Sequence, residues 1–453
     1  MSAPSIPQVC AAVWAAEEEL DLLAWTPRGV PLWPALRPRL TAALAERVGA
    51  QTSAHPRGRD RQVQRAVARH QFGAWASGPV RRPQHGDLIV PHPRKIAGRE
   101  WYTEALRHAL PDAPVLDSAR QGEPLPGSLT LDGARSAAVA AAALAARAPA
   151  RALSPADREL AGRVAARLAD DLGTRMPIEA MAAAELTRQR ALRPIYRRLL
   201  RRLGTERVYC VIAYLSPELT AAAHDLGARV VELQHGVISR YHLGYSWPGR
   251  PEVPDQPDEL WTFGNAWAQC LDLPAGTSAR TVGASFLPRR LGVEREPGLV
   301  VVLSQGTVGD RLAEAAGALA DARPELRVVL RLHPSQVRAD AERVLAGTPV
   351  QVSQGQDLPT PPGIAATYAW QARARWQVGV SSTALYEGLA LGTRTAVLAL
   401  PGHEYLAPAL ERGQALLAAD APDLAARLEQ VPPVTTTQDW YAEPVDLAPL
   451  LAR

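Results

Sequence analysis

The chain has 453 residues, 47% hydrophobic and 21% charged, with a formal net charge of +4. That length exceeds what one core organises, so two domains are expected, and the composition is that of a globular chain rather than a disordered one. So small a net charge does not supply the concentrated basic face that bulk nucleic-acid binding requires, and no nucleic-acid partner is expected.

The first residues lack a charged region followed by an apolar run, so no signal peptide is expected. Residues 1–80 read as a helical N-terminal extension. Val13, Trp14, Leu20, Leu22 and Leu23 form an apolar stripe, and a polar connection runs from Gln51 to about His70. Strand–helix alternation begins with a short strand at 87–90, a helix at 99–110 and a strand near Val115. Residues 134–203 read as a helical insert in three segments, broken near 148–155 and 173–177. Its longest small-apolar run, 136–146, falls short of the roughly 20 residues that a bilayer span needs, so any contact with the inner membrane is expected to be peripheral. In the last segment Leu192, Tyr196, Leu199, Leu200 and Leu203 share one face, while Arg190, Arg193, Arg197, Arg198, Arg201 and Arg202 take the others. That basic face reads either as a solvated surface or as a dock for anionic lipid.

A βαβ unit follows, with strands at 208–214 and 230–233 around a helix at 217–226. Near-continuous apolar runs of this kind mark a buried parallel sheet. A Pro/Gly-rich loop at 247–257 leads to a strand at 259–263 and a helix at 265–271. The first α/β unit, 81–285, ends near 283–297. The second, 298–435, carries strands at 299–303, 327–332, 350–352, 376–380 and 395–400 with helices between them, and 436–453 is a C-terminal tail. The fold expected is α/β, of the GT-B kind: two Rossmann-like domains facing across a cleft, preceded by a helical extension. The three cysteines, Cys10, Cys210 and Cys270, are far apart and in no CxxC pairing, which fits a reducing cytoplasm and neither a disulfide framework nor a zinc site.

Three polar constellations sit at the carboxyl ends of predicted strands, where open α/β sheets bind ligands. The first is Glu232-Leu-Gln234-His235-Gly236. The glycine lets the backbone turn, and an imidazole there suits acid–base work in the cleft. His242, Tyr245 and Trp247 follow in the same loop, so Gln234, Gly236, His242 and Tyr245 are candidates for the acceptor side. The second is Arg331-Leu-His333-Pro334, where Pro334 can open a helix at 335–345, the imidazole can hold phosphate beside its N-terminus, and Arg331 is a further donor-side candidate. The third is Ser381-Ser382-Thr383, handing a strand over to a helix. Its hydroxyls and free amides make an anion site, with N-capping as the bland alternative. Glu387 does not fit a capping box from Ser382 or Thr383, and a carboxylate one turn into this helix can grip a ribose. Gly388 costs about 1 kcal/mol in a helix interior, which implies that something packs close against it. Gln305 and Gly306 close the first strand of the second unit and can line the same cleft. His85, His92 and Arg94 flank the first strand on the acceptor side.

Together these residues resemble a broad group of bacterial capsule and surface-glycan enzymes. The group comprises sialyltransferases and polysialyltransferases, capsule Kdo transferases, and the CDP-glycerol glycerophosphotransferases of teichoic acid synthesis. The resemblance rests on the order and spacing of Gln234–Gly236, His333–Pro334 and Ser381–Glu387. It extends to the stretches "ELQHGVISRYHLGYSWPG" and "PDELWTFGNAW", and is strongest from about 207 to 400. It implies a bacterial GT-B glycosyltransferase of capsule polysaccharide biosynthesis, moving a sugar from a nucleotide-sugar co-substrate, a CMP-activated acidic sugar among the candidates, to a glycan or lipid-linked glycan. It also implies that His333 holds the donor phosphate, that Ser381 and Ser382 bind phosphate oxygens, that Glu387 contacts ribose or base, and that His235 is the catalytic group. No acidic motif in the first domain matches the general base of the polysialyltransferases. No DxD motif appears, so no metal and no further cofactor are expected. The same fold leaves three other readings open: a CDP-polyol phosphotransferase, a nucleotide-sugar 2-epimerase, and a non-catalytic glycan-binding homologue. Gly379 and Val380 before Ser381, and Gly388 after a lone Glu387, speak against the epimerase.

Overall fold

The computed structural model describes residues 4–50, 86–93, 95, 99–118, 123–288, 291–306, 308–361 and 364–452. The expected connection at 51–70, and with it His85 and Arg94, lies outside them.

The first parallel sheet consists of β1 (Asp87–Val90), β2 (Arg207–Val211), β3 (Arg229–Leu233), β4 (Glu259–Thr262) and β5 (Ser278–Thr281), paired in that order. Single parallel bridges, Ile89 to Val115 and Leu116 to Leu129, continue the sheet beyond β1. After β1 the chain therefore builds outward on one side, then returns through the helical insert to build on the other. The second sheet consists of β6 (Glu296–Leu303), β7 (Arg327–Arg331), β8 (Gln351–Ser353), β9 (Ala374–Gly379), β10 (Arg394–Leu398) and β11 (Ala415–Ala418). Its order is β11-β10-β9-β6-β7-β8, all parallel. That is the Rossmann order, with the reversal between β6 and β9.

The carboxyl edges of the two sheets meet. Gly236, just past β3, lies so close to the second domain that a β-carbon on it would stand 3.5 Å from Thr383 Oγ1, just past β9. Two Rossmann-like domains facing in this way make the chain an α/β protein of GT-B architecture.

The N-terminal extension supplies the helices Ile6–Glu19 and Trp33–Arg47, which share one apolar core with the helices Pro155–Leu172 and Ile178–Leu203. Ser5 with Gln8, and Ser154 with Asp157, close reciprocal capping boxes, and left-handed Gly173 and Gly204 end the latter two helices. None of the described helices is long and apolar enough to cross a membrane.

The tail crosses back to the first domain. Ala442 donates to Phe263 O (2.7 Å), Val445 to Val282 O (3.0 Å), and Leu451 O accepts from Arg207 (3.0 Å). Gly264 and Gly283 make that crossing possible, since a β-carbon on either would fall on the backbone of 439–440 or 443–444.

Two expected elements end early. The strand at 208–214 stops at Val211, because Ile212 is left-handed (φ 61°) and a 3-10 turn follows. The helix expected from 335 begins only at Arg338, because Gln336 folds back on His333: its amide donates to His333 O (2.9 Å) and its side chain accepts from the His333 amide (2.8 Å).

Candidate active site

On the first domain the site is built around a buried carboxylate. Glu232 interrupts the apolar run of β3, and its Oε1 accepts from the Ala213 amide (3.0 Å) and the Tyr245 hydroxyl (2.6 Å). Burial pushes its pKa up to about 7 against these hydrogen bonds, to which the Ile212 amide adds. The left-handed turn at Ile212 aims both amides at the carboxylate, a strained conformation for a β-branched residue that clusters at functional sites. Tyr245 is buried, and its oxygen stands 3.2 Å from His235 Nδ1. Since the Tyr245 proton goes to Glu232, that contact is a donation from His235 Nδ1–H, which puts the acceptor lone pair of the neutral ring on Nε2. The His92 ring stacks on His235 at 5.7 Å, and Tyr214 packs edge-on against His242 (5.3 Å) and Tyr245 (5.5 Å). Burial drops His242 to about 4, so it is neutral near physiological pH; its Nδ1 takes the Gly244 amide (3.3 Å).

Gln234 is a correction. It is fully buried, donating to Gly236 O (2.8 Å) and accepting from the Phe263 amide (2.9 Å). Its amide shapes the turn that presents His235 and does not reach the cleft.

On the second domain the loops after β9, β6 and β7 lie side by side along the carboxyl edge, so the outer two are roughly 10 Å apart. Gln305 and Ser381 clasp each other across the β6–β9 reversal: Gln305 Nε2 donates to Ser381 Oγ (2.9 Å), and the Ser381 amide donates to Gln305 Oε1 (2.8 Å). Ser382 N-caps the helix Thr383–Ala390, accepting from the Ala384 amide at 3.3 Å. The capping reading of Ser382 therefore holds, and its hydroxyl proton remains able to donate to an anion. Thr383 and Glu387, four apart, share one helix face. Glu387 is hydrogen-bonded to the buried Tyr368, and burial raises it to about 7. Trp101, from the loop after β1, reaches across to Tyr368 (6.4 Å between ring centres) and stacks on Phe286. The loop after β10 closes over the site from the other side, where a β-carbon on left-handed Gly402 would stand 3.4 Å from Ser381 Oγ.

At His333 the Ser335 amide donates to Nδ1 (3.2 Å), with Ser335 Oγ at 2.7 Å. An amide can only donate, so the neutral ring carries its proton on Nε2, the arrangement that offers N–H to a phosphate oxygen. The turn at 333–337 separates this ring from the helix N-terminus, so no helix dipole acts on it. Arg331 is the second correction. Its guanidinium is spent on Ser353 Oγ (3.0 Å), Asp357 Oδ1 (3.0 Å), Thr367 Oγ1 (3.2 Å) and Gly355 O, binding the β8 loop to its neighbours and leaving no face toward the cleft.

Beneath the helix Thr383–Ala390 runs a buried amide ladder. Gln377 donates to Leu385 O (2.7 Å) and Thr395 Oγ1 (2.7 Å), and Gln371 donates to Gln377 Oε1 (2.8 Å). The Gln377 side chain passes where a β-carbon of Gly388 would sit, which is the close packing this glycine implied. Gly388→Ala is expected to lose about 1–3 kcal/mol from overpacking, despite the gain of about 1 kcal/mol in helix propensity. Calorimetry on the variant tests this, and an unchanged melting profile would show that the ladder yields.

No family model matches the chain, and no curated protein matches it. Solved structures that resemble it include a putative UDP-N-acetylglucosamine 2-epimerase from Listeria monocytogenes (11% identity, 76% of this chain and 87% of that one, TM-score 0.44). Others are the spinosyn rhamnosyltransferase SpnG (15%, 76% and 91%, 0.43) and the calicheamicin glycosyltransferase CalG4 (13%, 78% and 90%, 0.43). Likenesses so distant carry no argument about chemistry.

Proposed function

We propose that this chain is a glycosyltransferase that moves a sugar from a nucleotide-sugar to a hydroxyl of a surface or capsular glycan. The observation that carries the reading is the meeting of Gly236 with Thr383, which sets the His235 relay against the hydroxyl-rich edge of the second domain. In this reading His235 Nε2 takes the acceptor proton, and the acceptor oxygen bonds to the anomeric carbon as the sugar–phosphate bond breaks. Glu232, through Tyr245, stabilises the imidazolium that forms. Ser381, Ser382, Thr383 and His333 Nε2–H hold the charge that gathers on the departing phosphate, and Glu387 with Trp101 borders the nucleoside. A CMP-activated acidic sugar as donor and a bacterial source come from the sequence resemblance.

The test is nucleotide release from a panel of nucleotide-sugars with and without glycan acceptors, after a thermal-shift screen of CMP, CDP, UDP and GDP to find the base, since the correct ligand stabilises the fold. Transfer requires the acceptor, whereas turnover of the sugar without one would indicate an epimerase. His333→Ala is expected to weaken nucleotide binding about tenfold, the value of one hydrogen bond to a charged group. Unchanged affinity in titration calorimetry would remove His333 from the site.

A further inference from the structure

Exposed arginines of this chain commonly stand beside a carboxylate, as Arg338 does with Glu342 (2.6 Å) and Arg229 with Glu259 (2.8 Å). The outer face of the helix Ile178–Leu203 departs from that habit. Arg190, Arg197, Arg198, Arg201 and Arg202 are exposed, and none forms an ion pair with a described residue, whereas Arg193 on the same helix pairs with Asp225 (2.7 Å). Arg197 with Arg201, and Arg198 with Arg202, are like charges four residues apart, an arrangement that destabilises a helix left to itself. The modest net charge of the whole chain conceals this local concentration.

The neighbouring helix Asp132–Arg147 runs antiparallel, with Arg135 donating to the Tyr196 hydroxyl (2.7 Å) and Ala138 buried in the same core as Tyr196. Its outer side exposes Val139 and Leu144, the latter 65% exposed, and Ile195 is exposed among the arginines of the first helix. Three exposed apolar side chains thus share this helix pair with the arginines. Leu192, Tyr196 and Leu200 hold the arginine helix on the core of the first sheet, and the helix ends at Leu203, just before Arg207 opens β2, so its arginine-rich end lies toward the amino edge, opposite the cleft.

We propose that this two-helix face docks the protein on an anionic lipid surface. The guanidiniums meet headgroup phosphates while Val139, Leu144 and Ile195 enter the interfacial layer. An acidic glycan or nucleic acid would answer the arginines but gain nothing from the exposed Val139, Leu144 and Ile195. The inference is independent of the proposed chemistry, because its readout is binding.

The experiment is co-sedimentation of the full chain with vesicles of phosphatidylcholine alone and of equal parts phosphatidylcholine and phosphatidylglycerol. Binding is expected to the anionic vesicles only, weakening as salt is raised. The double substitution Arg197→Glu/Arg201→Glu is expected to lower partitioning at least about tenfold, and Leu144→Ser to lower it severalfold, both with unchanged circular dichroism. Absence of binding, equal binding to neutral vesicles, or undiminished binding by both variants would overturn the proposal. So would retention on heparin with none on vesicles.

Discussion

Replacing His235 by alanine is expected to lower kcat by about a thousandfold, the scale of a positioned general base, while nucleotide affinity stays within about twofold. Tyr245→Phe removes the hydroxyl that accepts from His235 Nδ1 and donates to Glu232, and is expected to cost about ten- to a hundredfold. Glu232 sets the pH dependence. Its pKa is raised from 4.5 to about 7 by burial, and only the carboxylate supports the imidazolium, so kcat rises with pH through about 7. Glu232→Gln flattens that limb. Stability runs the other way. The folded state holds a proton that the unfolded chain releases, so the contribution of Glu232 is full below 4.5 and is lost as pH rises through about 7. Glu387, also raised to about 7, adds to the same loss. Activity and thermal stability are thus expected to move in opposite directions across neutrality. A pH–rate profile of wild type and Glu232→Gln, beside melting curves over the same range, checks both statements.

Arg37→Met is expected to destabilise the chain by about 3–5 kcal/mol, the cost of breaking a buried pair by removing one partner. Arg37 is 0% exposed, ion-paired with Glu17, and donates to Leu243 O (2.8 Å) and Ser246 O (2.7 Å). Its guanidinium lies 3.8 Å over the Trp247 ring. The substitution leaves two carbonyls unanswered and the Glu17 carboxylate without its counter-charge, held only by Trp33 Nε1–H (2.9 Å), and it frees the loop that carries Tyr245. The N-terminal extension thereby acts on the site without touching it, so kcat falls together with the melting temperature. A lysine cannot reproduce the fork or the stacking, and Arg37→Lys should rescue little. Calorimetry with parallel kinetics on both variants tests this.

The pattern of apolar runs and helical periods was enough to expect two parallel α/β units and their order. It missed β5 because Ser278–Thr281 is an exposed, polar edge strand with no apolar run. It missed β11 because Ala415–Ala418 lies in an alanine-rich stretch of helical character. The strand-end places of His235, Ser381 and Thr383 could be read because polar residues after an apolar run are conspicuous. Glu232 carried a signal that went unused, an acid inside an otherwise apolar strand. The partnership of Glu232 with Tyr245, 13 residues on, and the clasp of Gln305 with Ser381, 76 residues on, could not be read, nor could the approach of Trp101 and Gly402, because all depend on loops folding back over the site. Gln234 and Arg331 misled for the complementary reason. A buried amide or guanidinium and a cleft-facing one look alike in sequence, and only the count of partners separates them.

A crystal structure with the stabilising nucleotide bound tests the central claim most directly. Its phosphates should lie within hydrogen-bonding distance of Ser381, Thr383 and His333, with the terminal phosphate turned toward His235. Phosphates seated away from the β6–β9 reversal, or turned from His235, would contradict it.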